Sequence, residues 1–224
     1  EWFALNDGTA NIIKFNDKTA TEVTVPSKIQ GYAIKEIPNE LFLGCDSLST
    51  VVLSNGIKSI GNSAFAGCKA LTDITIPDSV VSIGENAFKN CTALKNIVIP
   101  SGVLNIGSYA FSDCDSLDSV IIPRGVTTLG SYIFEKCDNL VIYCEIPDCP
   151  NTWDSQWDAI ERANWNDQPE FHAVVYNFGG MKGITDDGLW WYTTNEGTAV
   201  IAGIANTSVT SININASITG YAVS

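Results

Sequence analysis

Between Leu71 and Cys91 the apolar positions expected to point inward are Leu71, Ile74, Ile76, Val80, Ile83, Ala87, Phe88 and Cys91, and most residues between them are polar or small. Ile74 and Ile76 alternate with Asp73 and Thr75, the period-2 signature of a strand with one buried face. Pro77 ends that strand, because it offers no amide to a ladder. Val80, Ile83 and Gly84 suit a second short extended piece and a tight bend, and Ala87-Phe88 suits a short helical or 3₁₀ turn. The whole pattern then recurs at one fixed stride, the step that separates Phe65 from Phe88. Phe42, Phe65, Phe88, Phe111 and Phe134 keep the step, as do Cys45, Cys68, Cys91, Cys114 and Cys137. Leu48, Leu71, Leu94, Leu117 and Leu140 follow it too, with Gly61, Gly84, Gly107 and Gly130. A period of this length marks stacked units, none of which can bury its apolar face alone. Each coil is expected to add one strand to a parallel sheet, giving a strand-rich α/β solenoid.

The pattern Ile-Pro…Val…Ile-Gly…Ala-Phe…Cys…Leu from Val25 to Leu140 resembles the BspA-like leucine-rich repeat family of surface proteins. Ser54 stands where the pattern has proline, Pro38 where it has glycine, and Ile133 where it has alanine. The resemblance implies a right-handed superhelix with its parallel sheet on the concave face. It also implies that Ile142–Glu145, followed by Trp153 and Trp157, closes the array. As function it implies adhesion to host or matrix proteins, or contact with other cell-surface proteins.

A second repeat links the two ends of the chain. When Trp2 is laid on Trp191, Gly8-Thr9-Ala10 falls on Gly197-Thr198-Ala199 and Gly31-Tyr32-Ala33 on Gly220-Tyr221-Ala222, without a gap. Asn6-Asp7-Gly8 and Asn195-Glu196-Gly197 are turn chemistry between alternating runs, so each copy is expected to form a β-hairpin. The expected organisation is an N-terminal hairpin cap over 1–35, repeats over 36–146, a closing helix, strand and linker over 147–188, and the truncated cap of a following module over 189–224. Trp153, Trp157 and Ile160 have the spacing of an amphipathic helix laid over the last coil. Phe171–Tyr176 reads as a strand. The chain starts at Glu1 without a signal peptide, and it is expected to be a processed product or an excised piece of a secreted or surface protein.

The formal net charge is −13. From Glu135 to Glu196 twelve acidic residues face only Lys136, Arg162 and Lys182. Such a surface repels phosphate backbones and anionic lipid, so nucleic acid and membrane insertion are not expected. The five ladder cysteines read as small buried hydrophobes, while Cys144 and Cys149 fall outside the ladder and could pair.

Candidate chemistry is sparse. His172 is the single histidine, which eliminates His-rich metal sites and most nucleophile–histidine–acid arrangements, and it reads as a residue of the closing strand. Asp186-Asp187-Gly188 lacks the alternating oxygen ligands of a calcium loop. No cofactor and no enzymatic activity are expected.

What remains is surface. Positions between the buried strand residues, expected to face the concave side, form two columns, Val52, Thr75, Val98, Ile121 and Thr50, Asp73, Asn96, Ser119. They are either a docking face for a protein or simply good strand residues. Trp153, Trp157 and Trp165 offer two readings as well, sugar-stacking faces or residues buried under the closing segment. A structural spacer is the third possibility. A monomer is expected.

Overall fold

The computed structural model describes residues 1–138, 140–145, 151–155 and 157, together with six later strands: Ala173–Val175, Phe178–Ile184, Leu189–Thr194, Ala199–Ile204, Ser217–Ile218 and Tyr221–Ala222. The chain divides into two compact units, Glu1–Ile142 with Pro150–Ala173, and Tyr143–Cys149 with Val174–Ser224.

In the first unit the repeat forms two parallel ladders. The first ladder is built from Glu22–Val25, Thr50–Leu53, Asp73–Thr75, Asn96–Ile97, Ser119–Ile122 and Val141–Cys144. The second is built from Glu36–Ile37, Ser59–Ile60, Ser82–Ile83, Asn105–Ile106 and Thr128–Leu129, hydrogen-bonded in that order without a break. Register follows the stride: Val51 pairs with Ile74, Ile60 with Ile83 and Ile106 with Leu129. The first ladder is divided into two sheets between Asp73–Thr75 and Asn96–Ile97. The strand-rich solenoid is therefore as the repeat implies, with the second extended piece forming a full ladder of its own.

The Ala-Phe segment differs from the expected helical turn. Ser63, Asn86 and Tyr109 have φ of 53°, 54° and 57°, and the residues four positions on, Gly67, Asn90 and Asp113, have 73°, 60° and 57°. A helix requires consecutive right-handed residues, so left-handed ones at both ends of this segment stop it. The amides reach the next coil instead. Phe42 N donates to Ala64 O at 2.8 Å, Phe65 to Ala87 at 2.8 Å, Phe88 to Ala110 at 2.7 Å and Phe111 to Ile133 at 2.8 Å. The turns thus make a third column of intercoil hydrogen bonds, and no helix forms among the described residues.

Side chains stack in the same register. Successive rings from Phe42 to Phe134 lie 5.0, 5.2, 5.2 and 5.6 Å apart and nearly parallel. Each thiol from Cys68 to Cys137 donates to the phenylalanine carbonyl of the preceding coil, as from Cys91 Sγ to Phe65 O at 3.3 Å. The glycine column is dictated by closeness. A Cβ on Gly84 would lie 2.5 Å from Asn62 Oδ1 and 2.7 Å from Asn62 N.

Both ends of the stack are covered. At the start, Trp2–Ala4 and Thr9–Ile12 form an antiparallel hairpin that continues through Tyr32–Ile34 to Lys28–Ile29. Phe15 packs on Phe42 at 4.9 Å. Lys18 Nζ donates to Leu43 O at 2.6 Å, on the carbonyl side of the turn column that no earlier coil meets. At the other end, Ile133 N donates to Trp157 O at 3.1 Å, and Asp154 N to Leu129 O at 2.9 Å. Residues 151–155 and 157 are turn, bend and coil rather than the expected helix, and Ile160 lies outside the described residues. Those hydrogen bonds continue the coil's ladder and turn column one step further, and this uses the backbone amides that a helix would spend on itself.

The second unit contains a sheet of Phe178–Ile184, Leu189–Thr194 and Ala199–Ile204 in that order, and a small pair formed by Ser217–Ile218 and Tyr221–Ala222. Its registers repeat those of the first hairpin. Trp2 pairs with Ile12 and Trp191 with Ile201; Ile29 pairs with Tyr32 and Ile218 with Tyr221. Of the expected strand over Phe171–Tyr176, Ala173–Val175 forms, and Phe171, His172 and Tyr176 lie outside the described residues.

Candidate functional site

A strand buried on one side must present its alternate residues to the other. In the first ladder Val51, Ile74, Ile97 and Val120 point into the core. The residues one position on are therefore turned out. Val52, Val98 and Ile121 are 39%, 77% and 37% exposed, and Thr75 is exposed with them. The companion column is polar. Asp73 and Asn96 are exposed, and Thr50 and Ser119 are half-buried. Register brings neighbours of a column side by side, Val52 with Thr75 and Asn96 with Ser119. The structure thus brings all eight candidate residues onto one face of the ladder. Val98 is the most exposed apolar side chain there, one residue past the end of Asn96–Ile97, the strand next to the break in hydrogen bonding. The face carries a stripe of Val, Thr, Val and Ile beside a polar column that includes Asp73 and, one strand earlier, Glu22, an arrangement suited to apolar contact with polar edges.

The tryptophans are placed differently. Trp153 and Trp157 are 5% and 3% exposed and pack edge to face at 5.1 Å. Trp153 Nε1 also donates to Val126 O at 3.3 Å. Neither offers a ring face to a sugar. This removes two of the three residues of the sugar-stacking alternative, and the third, Trp165, lies outside the described residues. Burial wins because the last coil exposes an apolar end that a large ring covers.

A concavity not anticipated from the sequence lies along the second ladder. Its volume is about 530 Å³, and Glu36, Asn39, Ser59, Asn62 and Ser82 are among its lining residues. Asn39 and Asn62 are already used by the fold, since their Oδ1 atoms accept from Asn62 N at 2.8 Å and Glu85 N at 2.9 Å. The signal was available in the polar residue that follows each column glycine, here Asn62 after Gly61.

On the turn column Asp113 lies 3.8 Å from Lys89 and 3.4 Å from Lys136. Lys89 also sits 5.1 Å over the ring of Tyr109, which stacks on Tyr132. These contacts tie coils to one another at the surface.

Four of the ladder thiols are held in the neutral form by burial. Burial, and secondarily the neighbouring cysteine, pushes Cys68 up to about 12 and also raises Cys91 and Cys114; burial likewise pushes Cys137 up to about 12. Cys144 is buried, and Cys149 lies outside the described residues. Among the described residues no group of three His, Cys, Asp or Glu is placed to hold a metal ion. No helix among them is long and apolar enough to cross a membrane. His172, Asp186, Asp187 and Gly188 lie outside the described residues.

Residues 13–148 match the BspA type leucine rich repeat region in 6 copies. The chain belongs to the BspA-type leucine-rich repeat family. The T. pallidum leucine-rich repeat protein is 34% identical with a TM-score of 0.61, over 64% of this chain and 67% of that one. A leucine-rich repeat protein from Bacteroides ovatus is 29% identical with a TM-score of 0.59, over 69% of this chain and 40% of its own. A leucine rich cell surface protein from Faecalibacterium prausnitzii shares the fold at 23% identity and a TM-score of 0.57, over 90% of this chain and 58% of its own. The chain therefore spans well under two thirds of the Bacteroides and Faecalibacterium proteins. None of the curated proteins matches it.

Proposed function

We propose that this BspA-type array is a non-enzymatic protein-interaction module of a secreted or cell-surface protein, and that it docks its partner on the outer face of the first ladder. One observation carries the reading. Val98 is 77% exposed in a register where its two immediate neighbours, Ile97 and Ile99, are buried. Strand propensity explains a β-branched residue at each such position, but not the 77% exposure of Val98 in a column that Val52 and Ile121 share as partly exposed apolar side chains. Six strands about 4.8 Å apart give a face roughly 25 Å long, which suits an extended segment or a weak protein contact. A host or matrix protein, or another cell-surface protein, is the partner class that the family supports. The bacterial relatives and the family resemblance support the location.

Changing Val98 and Ile121 to Glu tests the reading. Binding to an extracellular-matrix protein that the native chain retains should fall by more than about tenfold, or about 1.4 kcal/mol. The Val98→Glu change alone should leave the unfolding midpoint near native, because that side chain is 77% exposed, and it separates lost binding from any destabilisation caused at Ile121, which is 37% exposed. Unchanged binding would remove this face as the site.

A further inference from the structure

Asn39 and Asn62 carry more hydrogen-bonding capacity than the fold uses. Their Oδ1 atoms accept from Asn62 N at 2.8 Å and Glu85 N at 2.9 Å, which joins three successive coils beside the glycine column. Further along the same column Ser108 Oγ does that work, accepting from Ser131 N at 3.1 Å. A single oxygen therefore satisfies the joint, and each carboxamide adds an NH2 group to it. Neither Nδ2 atom finds an acceptor among the described residues. Because Oδ1 is held, the amide plane is held too, and the donors are pre-organised. Ser59 and Ser82 repeat the surplus on the strands of the second ladder. They stand one coil apart in register and half-buried, and their hydroxyls also have no partner among the described residues. These four residues line the concavity of about 530 Å³ together with Glu36 and Pro38. Its volume is that of an ordinary small-molecule site. All of its lining lies between Glu36 and Gly84, within the array.

We propose that this groove binds a linear chain of neutral sugars, laid along the stack with one hexose per coil. Sugar hydroxyls both donate and accept, which matches a row of amide donors beside a row of hydroxyls. Pro38 stands where the later coils have glycine, and it adds an apolar ring to the lining for a sugar's C–H face. The Glu36 carboxylate in the lining disfavours an anionic sugar, since like charges repel. Spacing decides between a glycan and a peptide. The hydroxyl and amide rows repeat at the strand spacing, about 4.8 Å, whereas an extended peptide advances about 3.3 Å per residue and drifts out of step. An equatorially linked hexose chain, as in cellulose, advances by close to one coil per residue. The main-chain groups of the ladder are already spent between coils, as Ser59 with Ser82, so no strand can add across this face. The groove uses none of the tryptophans and shares no residue with the Val98 face.

Titration of the full chain with cellotetraose, mannotetraose and chitotetraose, followed by NMR, tests this. At least one of the three should produce saturable shifts of the Asn39 and Asn62 side-chain amides. Glucose at the same concentration of sugar residues should bind at least about tenfold more weakly, because it reaches one coil at a time. Asn39→Ser with Asn62→Ser keeps an oxygen at each joint, as Ser108 does, and deletes both NH2 groups. It should weaken binding by about tenfold or more. Ser82→Val removes a hydroxyl from a place in the ladder where Thr128 shows that a branched side chain fits, and it should weaken binding about threefold or more. Val98→Glu should leave sugar binding unchanged, so failure of this groove and failure of the protein-docking face are told apart. No saturable shift with any of the three tetrasaccharides would overturn the proposal. So would glucose binding equally well, or full binding in both groove variants.

Discussion

Burial pushes the thiols of Cys68 and Cys137 up from the ordinary value near 9 to about 12. Raising the pH through that window removes the proton from the unfolded state first, so stability is intact below about pH 9 and is lost as pH rises toward 12. Each such thiol contributes a slope of about 1.4 kcal/mol per pH unit. Urea unfolding between pH 8 and 11 should show stability falling, and Cys91→Ala should make the fall shallower by about one thiol's share. The glycines allow a second residue-scale test. Gly84→Ala places a methyl group 2.7 Å from Asn62 N, a backbone atom that cannot swing aside. It should destabilise the chain by about 1–3 kcal/mol in denaturant unfolding, as overpacked sites do. The cysteine and glycine roles were both readable from the fixed stride, because a side chain that recurs at one place in every coil meets its own copy. The left-handed positions were less readable. Gly44, Gly67, Asn86 and Asn90 announce themselves, but Tyr109, Tyr132 and Lys136 adopt the same positive φ with no compositional sign of it.

The coil is the element, and its unity comes from ladders that run across coils. Phe88 sits between Phe65 and Phe111 at 5.2 Å from each. Phe88→Ala should cost about 3–5 kcal/mol, and the far-UV and tryptophan signals should still unfold in one transition, because the cavity weakens both neighbouring interfaces at once. The alternating Ile74 and Ile76 made the first ladder legible. The second extended piece was legible from Val80, Ile83 and Gly84, but its joining into an unbroken ladder was not, because two residues per coil, such as Ser82–Ile83, are too few to show a period. The turn column was misread as helical since Ala-Phe favours a helix locally, while the intercoil hydrogen bonds that decide the matter connect one coil to the next, as Phe42 to Ala64. The closing helix failed for a related reason. Trp153 and Trp157 do share a buried environment, and their spacing comes from a coil-like turn that supplies partners to Leu129 and Ile133.

At the scale of the molecule, the repeat leaves little that is not already used. Core positions are fixed by stacking, the turn column by its hydrogen bonds, and both ends of the array by Phe15 with Lys18 and by the two tryptophans. The outer residues of the first ladder are under none of these demands, yet they keep a row of β-branched side chains in water. The alternation of the strands made those eight positions legible; the polar residues along the second ladder, such as Asn39 and Asn62, were visible in the stride, but the concavity they line depends on the backbone path of the coil, which no residue pattern states. Methyl NMR on the native chain, titrated with a matrix protein that it binds, tests the central claim most directly. The Val52, Val98 and Ile121 methyl signals should shift or broaden together, while those of Ile37 and Ile60 beside the groove stay in place. Perturbation confined to Ile37 and Ile60, with the Val98 methyls unmoved, would contradict the assignment of the docking face.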